Sequence, residues 1–497
     1  MSFSVNFPLF LIVLSLISSV VSSLLSRKAA RHLALTLYAL SFTGNLILFL
    51  YLRTLGTPVN YLMGHFPHPW GNELILNPIE AAFSALFSLV LFLSVFGGKL
   101  PITEKIAENK QHFYYVMTNL VQASLLVLVY TNDLFTGYVF IEICTLSSCG
   151  ILMIRENGRT ILASIRYMIF SLIGSGLFLF GVIFLYNLTG HLLMPELKES
   201  IASLYVTGEY HLPLLAAMSL ICIGLAIKSG LCPFHLWMAD TYGAAVPASS
   251  AILSGLISKG YIFFLIKIIL SVFGKDIFFA NGTHNVLYVL GAAGIVVGSV
   301  SALQEDNIFR MIAYSSAAQI GYIYMGIGLS GTIGMEAALF QILTHAMTKP
   351  ALFLACAHLS RSANNVKKFH NLQGAGYKNP FAGFAFTFSA FSMIGLPFTM
   401  GFISKYLFGM GAFDSTPTKM VPTLIVLAIS TILNTLYFAR TVIRLYNKPA
   451  ETVYRRTGLF SQGCYVLTGT AFILINLFFG IFARSFIAVL AAGLPLF

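Results

Sequence analysis

Residues 223–270, IGLAIKSGLCPFHLWMADTYGAAVPASSAILSGLISKGYIFFLIKIIL, decide the fold. Almost all of the stretch is oily enough for lipid, yet it carries Lys228 and Lys259, with a Cys-Pro-Phe-His break between them. A lysine at bilayer depth opposes insertion by roughly 2.5–3.5 kcal/mol, so something must offset or justify its presence. Pro233 removes a backbone donor and clashes with the preceding turn. In hydrocarbon, the carbonyls it frees are tolerable only where they face protein or water. The stretch reads as a membrane helix interrupted at mid-depth, followed by a second span.

The rest of the chain agrees. Of 497 residues, 57% are hydrophobic and 9% charged, with a mean hydropathy of +0.84, which is the composition of an integral membrane protein. Six cysteines (Cys144, Cys149, Cys222, Cys232, Cys356, Cys464) form no CxxC and no Cys/His spacing suited to zinc or an iron-sulfur cluster. We expect no metal and no cofactor in this chain. The formal charge of +12 does not point to nucleic acid, because no basic segment is interleaved with aromatics in a soluble domain; orientation in a bilayer accounts for it better. The first apolar stretch, residues 7–25, lacks a basic n-region and reads as a retained helix.

A spanning helix needs about 20 apolar residues. On that criterion fourteen spans are expected, at 6–26, 32–54, 79–98, 113–131, 133–154, 161–187, 212–243, 246–272, 285–304, 308–330, 335–359, 380–411, 421–446 and 464–490. With both termini outside, the inward loops collect Arg27, Lys28, Arg31, Lys99, Lys105, Lys110, Arg155, Arg159, Arg166, Arg310, Arg361, Lys367, Lys368, Lys378, Arg440, Arg444, Lys448, Arg455 and Arg456. Only Arg53, Lys198, Lys267, Lys275, Lys419 and Arg484 fall outside. This topology satisfies the positive-inside rule and its inverse does not. Two spans, 212–243 and 380–411, would be about 48 Å long as continuous helices, too long for a core of about 30 Å. Each has a proline near its middle, Pro233 and Pro397, and both are expected to be broken; ordinary Pro-kinked helices are the alternative. One runs inward and one outward, as inverted repeats require.

Few ionisable groups lie deep in the spans: Glu142, Lys228, Lys259, His345, Lys349 and Lys405. Four lysines together oppose insertion by about 10–14 kcal/mol. They either staple helices, snorkel to an interface, as Lys349 is well placed to do, or carry protons. Glu142 is the one mid-span carboxylate, whereas Glu80 and Glu336 sit near helix ends, where capping or interface roles are expected. A buried carboxylate and ammonium hold each other charged, and separating them releases a proton. Such a pair beside a helix break that admits water is the minimum apparatus for moving protons through oil. His345 can bridge two halves of such a path, since imidazole passes protons between its nitrogens; taken alone it reads as a packing residue. Lys349, Gln341 and His235, which lies beside Pro233, are secondary candidates for the path.

Six motifs carry a resemblance: YVFIEICTLSS (138–148), IRYMIFSLIGSGLFLFGVIFLY (165–186), residues 227–263, QEDNIFRMIAYSSAAQIGYI (304–323), LTHAMTKPALFLACAHL (343–359) and IGLPFTMGFISKY (394–406). In order and spacing the chain resembles, over about 75–410, the antiporter-like membrane subunits shared by Mrp-type cation/proton antiporters, respiratory complex I and membrane-bound hydrogenases. The resemblance implies an all-α polytopic fold of fourteen helices with two inverted five-helix repeats, each a half-channel with a discontinuous helix. The expected division is 1–112 for the first three helices, 113–272 and 285–446 for the repeats, and 447–497 for the last helix. It further implies that Glu142 and Lys228 form the ion pair of the first half-channel, that Lys259 continues the path, and that His345 links it to Lys405. Two positions depart from the pattern: Gln341 stands where a histidine is frequent, and Phe309 where a lysine is common. The larger members also carry a long C-terminal lateral helix, which is not expected here.

The expected function is that of a proton-translocating subunit of a multisubunit cation/proton antiporter in the cell membrane. Homologous and small membrane subunits would be its partners, and protons, with sodium or potassium, its cargo. The alternative is the proton-pumping arm of a complex I-like NADH:quinone oxidoreductase or an energy-converting hydrogenase, an enzyme whose redox centres would lie in other subunits. An independent carrier for an organic solute is disfavoured, because the buried charges form a lysine-rich series rather than one pocket.

Overall fold

The computed structural model describes residues 2–66, 71–447 and 462–496. Apart from one hairpin of β1 (Val59–Leu62) and β2 (Glu73–Leu76), the regular elements among the described residues are helices. The helices are α1 (Ser2–Leu24), α2 (Arg27–Leu55), α3 (Pro78–Gly97), α4 (Lys99–Lys105), α5 (Gln111–Tyr130), α6 (Leu134–Met153), α7 (Gly158–Thr189), α8 (Met194–Thr207), α9 (His211–Ser229), α10 (Leu236–Ala244), α11 (Pro247–Ile252) and α12 (Ser258–Ile268). They continue with α13 (Gly274–Ala280), α14 (Thr283–Gln304), α15 (Ile308–Gly328), α16 (Thr332–Ser362), α17 (Ala375–Lys378), α18 (Pro380–Ile394), α19 (Met400–Phe413), α20 (Pro417–Tyr446), α21 (Gly463–Ile481) and α22 (Ala483–Gly493). Among the described residues, ten helices are long and apolar enough to cross a membrane. Helix occupies every one of the fourteen expected stretches, but 464–490 is two helices parted at Phe482 rather than one.

Side-chain contacts sort the loops onto two ends of the bundle. At one end Arg27 pairs with Glu108, Lys110 with Glu156 and Arg361 with Glu104. There too Arg155 donates to the Ala244 carbonyl, Lys367 to that of Gly243 and Arg440 to that of Glu305. This basic end therefore gathers the loops expected to share a side. Lys448, Arg455 and Arg456 lie outside the described residues. At the opposite end, Asn132 bonds Glu73 and Leu74 bridges Thr131, so the hairpin packs on the turn between α5 and α6.

Both long spans are broken, not kinked. Helix α9 stops at Gly230 (φ +82°) and α10 begins six residues after it, at Leu236; α18 stops at Gly395 (φ +95°) and α19 begins at Met400. Only glycine adopts such positive φ readily, and the following proline in each case cannot extend the helix. A third irregularity was not foreseen. The 246–272 stretch is α-helical only over α11 and α12, with π-helical turns at Leu253–Ile257 and Ile269–Phe273 on either side of α12. Such turns occur often at functional sites.

Candidate functional site

Lys228, the penultimate residue of α9, lies at the first break and is buried. Its Nζ donates to Thr145 Oγ1 on α6 at 2.7 Å and stands 5.4 Å from the centre of the Tyr261 ring on α12. The expected ion pair with Glu142 is not formed: Glu142, one turn before Thr145, is half-buried with Oε1 unpartnered, and the threonine hydroxyl takes the ammonium instead. His235, at the entry to α10, is buried with neither ring nitrogen hydrogen-bonded, its ring edge-on to Tyr314.

Lys259 is fully buried and turns back along its own helix to donate to the Ser254 carbonyl at 2.6 Å, inside the first π turn. The Ser254 hydroxyl meets that of Ser316 on α15 at 3.0 Å. Lys349 does not snorkel. It is fully buried on α16, beside Pro350, and donates to Ser315 Oγ and, at 3.2 Å, to the Ile312 carbonyl, both on α15. His345, one turn earlier, lies within electrostatic reach of both Lys259 and Lys349, and among the described residues its two nitrogens have no hydrogen-bond partner. The structure thus brings Lys259, His345 and Lys349 together, which promotes Lys349 from secondary candidate to member of the central group.

Gln341, another turn back on α16, joins Gln319 of α15 to Ser404 of α19 through hydrogen bonds to both. Lys405, the next residue, is half-buried and donates to the Ile394 carbonyl at 2.6 Å and to Thr431 Oγ1 at 2.9 Å. Ile394 is the last residue of α18, so this ammonium caps a carbonyl that the second break leaves without an intrahelical donor. Pro397 lies within that break.

Three features were not read from the sequence. Asn476, a lone amide in α21, accepts from Ser392 Oγ and from the Met400 amide and donates to Thr348, pinning both sides of the second break to α16. A polar residue in an apolar run was its only signal. Lys267, expected at the outward side of its span, is fully buried on α12; it pairs with Glu80 at 3.4 Å, also fully buried, and donates to the Val129 carbonyl at 2.8 Å. Lys419, also expected outside, is buried in the first turn of α20 and donates to the Gly328 carbonyl. The Phe309 departure has a visible consequence, because Lys367 Nζ sits 4.8 Å from the centre of that ring; a lysine there would meet it with like charge.

Discontinuous helices around lysines and a histidine buried at the centre of a helical bundle define a polytopic membrane protein of the ion-moving class. The chain belongs to the NADH:quinone oxidoreductase/Mrp antiporter transmembrane family, whose pattern matches residues 131–432. It is 32% identical over 397 residues to the NADH-quinone oxidoreductase subunit N of Desulforudis audaxviator, covering 79% of this chain and 76% of that one. To a Na(+)/H(+) antiporter subunit of Alkalihalophilus pseudofirmus it is 26% identical over 353 residues, 71% of this chain and 69% of that one. A chain in the structure of the Mrp complex from Dietzia sp. shares the fold with a TM-score of 0.88 at 23% identity, over 100% of this chain and 98% of that one.

Proposed function

We propose that this chain carries protons across the membrane as one subunit of a multisubunit cation/proton antiporter. The path runs through Glu142, Lys228, Lys259, the His345–Lys349 pair and Lys405. The observation that carries this reading is a contrast among the lysines inside the bundle. Lys267 has a carboxylate partner, whereas Lys228, Lys259, Lys349 and Lys405 donate only to hydroxyl and carbonyl oxygens. An ammonium held by neutral oxygens can give up its proton without breaking a close ion pair, and each of the four stands at a helix break, a π turn or a proline. His345, with both nitrogens free, passes protons between the halves.

In this reading the basic end faces the cytoplasm, both termini lie outside the cell membrane, and the chain crosses fourteen times. Residues 113–272 and 285–446 are its inverted half-channels. Homologous and small membrane subunits are its partners, as the names of its relatives suggest, and sodium or potassium is the counter-ion. A second reading rests on the 32% identity to an oxidoreductase subunit: the same path would then serve an oxidoreductase whose redox chemistry lies elsewhere. Proton movement in everted vesicles holding the whole complex, read with a pH-sensitive dye, separates the two. Movement driven by added sodium or potassium alone supports the antiporter; a strict requirement for an electron donor overturns it in favour of the second.

A further inference from the structure

A cavity of about 210 Å³ opens at the basic end between α7, α10 and α15, away from the buried lysines. Three guanidiniums line it, Arg159 and Arg166 from α7 and Arg310 from α15, against the single carboxylate of Asp240. Asp240 accepts from Arg166 and from Arg310 at 2.5 Å each, and Arg310 also pairs with Glu305. Arg159 has no carboxylate among these, and a guanidinium with five donors keeps several free after one such bond. The surroundings add further cations, offset only in part by Glu305 on Arg310 and Glu104 on Arg361. Lys367, outside the spans, is lowered to about 7 by burial first and then by Lys105, Arg155 and Arg159; Lys105 is lowered to about 8 by burial and then by Arg155. This end of the molecule has an excess of crowded positive charge.

The cavity also continues into an apolar track. Arg159, Leu162, Arg166, Ile169 and Ile173 follow one another at three- and four-residue steps, so they lie along one face of α7, and all five are exposed. Arg166 lies about 10 Å further along the helix than Arg159. A polyanionic soluble ligand would use the arginines and ignore the isoleucines. A molecule with a phosphate at one end and hydrocarbon at the other matches the whole face.

We propose that this cavity binds the phosphodiester of an anionic phospholipid from the adjoining leaflet, its headgroup on Arg159 and Arg166 and an acyl chain along Ile169 and Ile173. The lipid supplies the counter-charge the cationic cluster lacks and touches the arginine that clamps α10, the inner half of the first broken helix. The inference concerns binding alone and stands independently of which ion the chain moves.

The test uses the purified, delipidated complex. Native mass spectrometry measures its binding of phosphatidylglycerol and of phosphatidylcholine with the same chains, and a photoactivatable phosphatidylglycerol reports the site. Wild type is expected to prefer phosphatidylglycerol and to be labelled within 159–173. Arg159→Gln should weaken the preference about fivefold, while Arg159→Lys, which keeps the charge and controls for assembly, should weaken it less. Lys28→Gln, an exposed charge on another helix, should leave it unchanged. Equal binding of the two lipids, labelling elsewhere, an equal loss in Lys28→Gln, or displacement of the lipid by millimolar inorganic phosphate would each overturn the proposal.

Discussion

Glu80 and Lys267 are each 0% exposed and meet at 3.4 Å between α3 and α12. Removing one partner of a buried pair leaves an uncompensated charge and costs about 3–5 kcal/mol, whereas replacing both by apolar groups of similar volume is often neutral. Glu80→Leu and Lys267→Met should therefore each lower the melting temperature of the complex, and the double variant should recover most of the loss; additive losses would show that the two do not act as a pair. The same residues mark where sequence reading ran out. Lys228, Lys259 and Lys405 stand out because each is a lone cation in an apolar run. Lys267 sits near a span's end, where a lysine ordinarily reaches water, and Glu80 in the first turn of a helix, where a carboxylate is ordinarily a cap. Only the packing of α3, α5 and α12 together closes them off. The Glu142–Lys228 contact failed for a similarly local reason, since Thr145 lies nearer the ammonium.

At the scale of elements, both helix breaks were legible because glycine and proline together leave few alternatives. The π turns around α12 were not, since a run such as LSGLISKGYIFFLIKIIL carries no proline and reads as continuous helix. The last span was read as one helix because its apolar run passes through Phe482 without a proline. The second break also depends on how close its two halves come. A Cβ at Gly401 would lie 1.7 Å from the Ser392 carbonyl oxygen, a backbone atom that cannot swing aside. Gly401→Ala should push α19 away from α18, destabilise the protein by about 1–3 kcal/mol and impair transport, because Lys405 rides on α19. A variant that melts and transports like wild type would show that the break has slack. Asn476→Leu removes the amide that ties Ser392, Met400 and Thr348 together and should loosen the same joint, seen as faster backbone hydrogen exchange over 392–404.

For the whole molecule, the basic end gives a pH dependence outside the membrane. Lys367 is held near 7 by burial and then by Lys105, Arg155 and Arg159, while an unfolded lysine stays protonated to about pH 10. Between those values the unfolded segment binds the extra proton, so docking of the 363–372 loop gains stability as pH rises from about 7 towards about 9 and loses it as pH falls back. Hydrogen exchange there, corrected for intrinsic rates, should slow over that range in wild type and lose that trend in Lys367→Met; identical profiles would contradict the assignment. The proposed proton path turns on the ammonium at the first break. In everted vesicles with equal amounts of assembled complex, proton movement should be abolished by Lys228→Ala and strongly reduced by Lys228→Arg, which keeps the positive charge but holds its proton. Transport at the wild-type rate in both variants would mean that Lys228 only joins α9 to α6, and that the protons travel by another route.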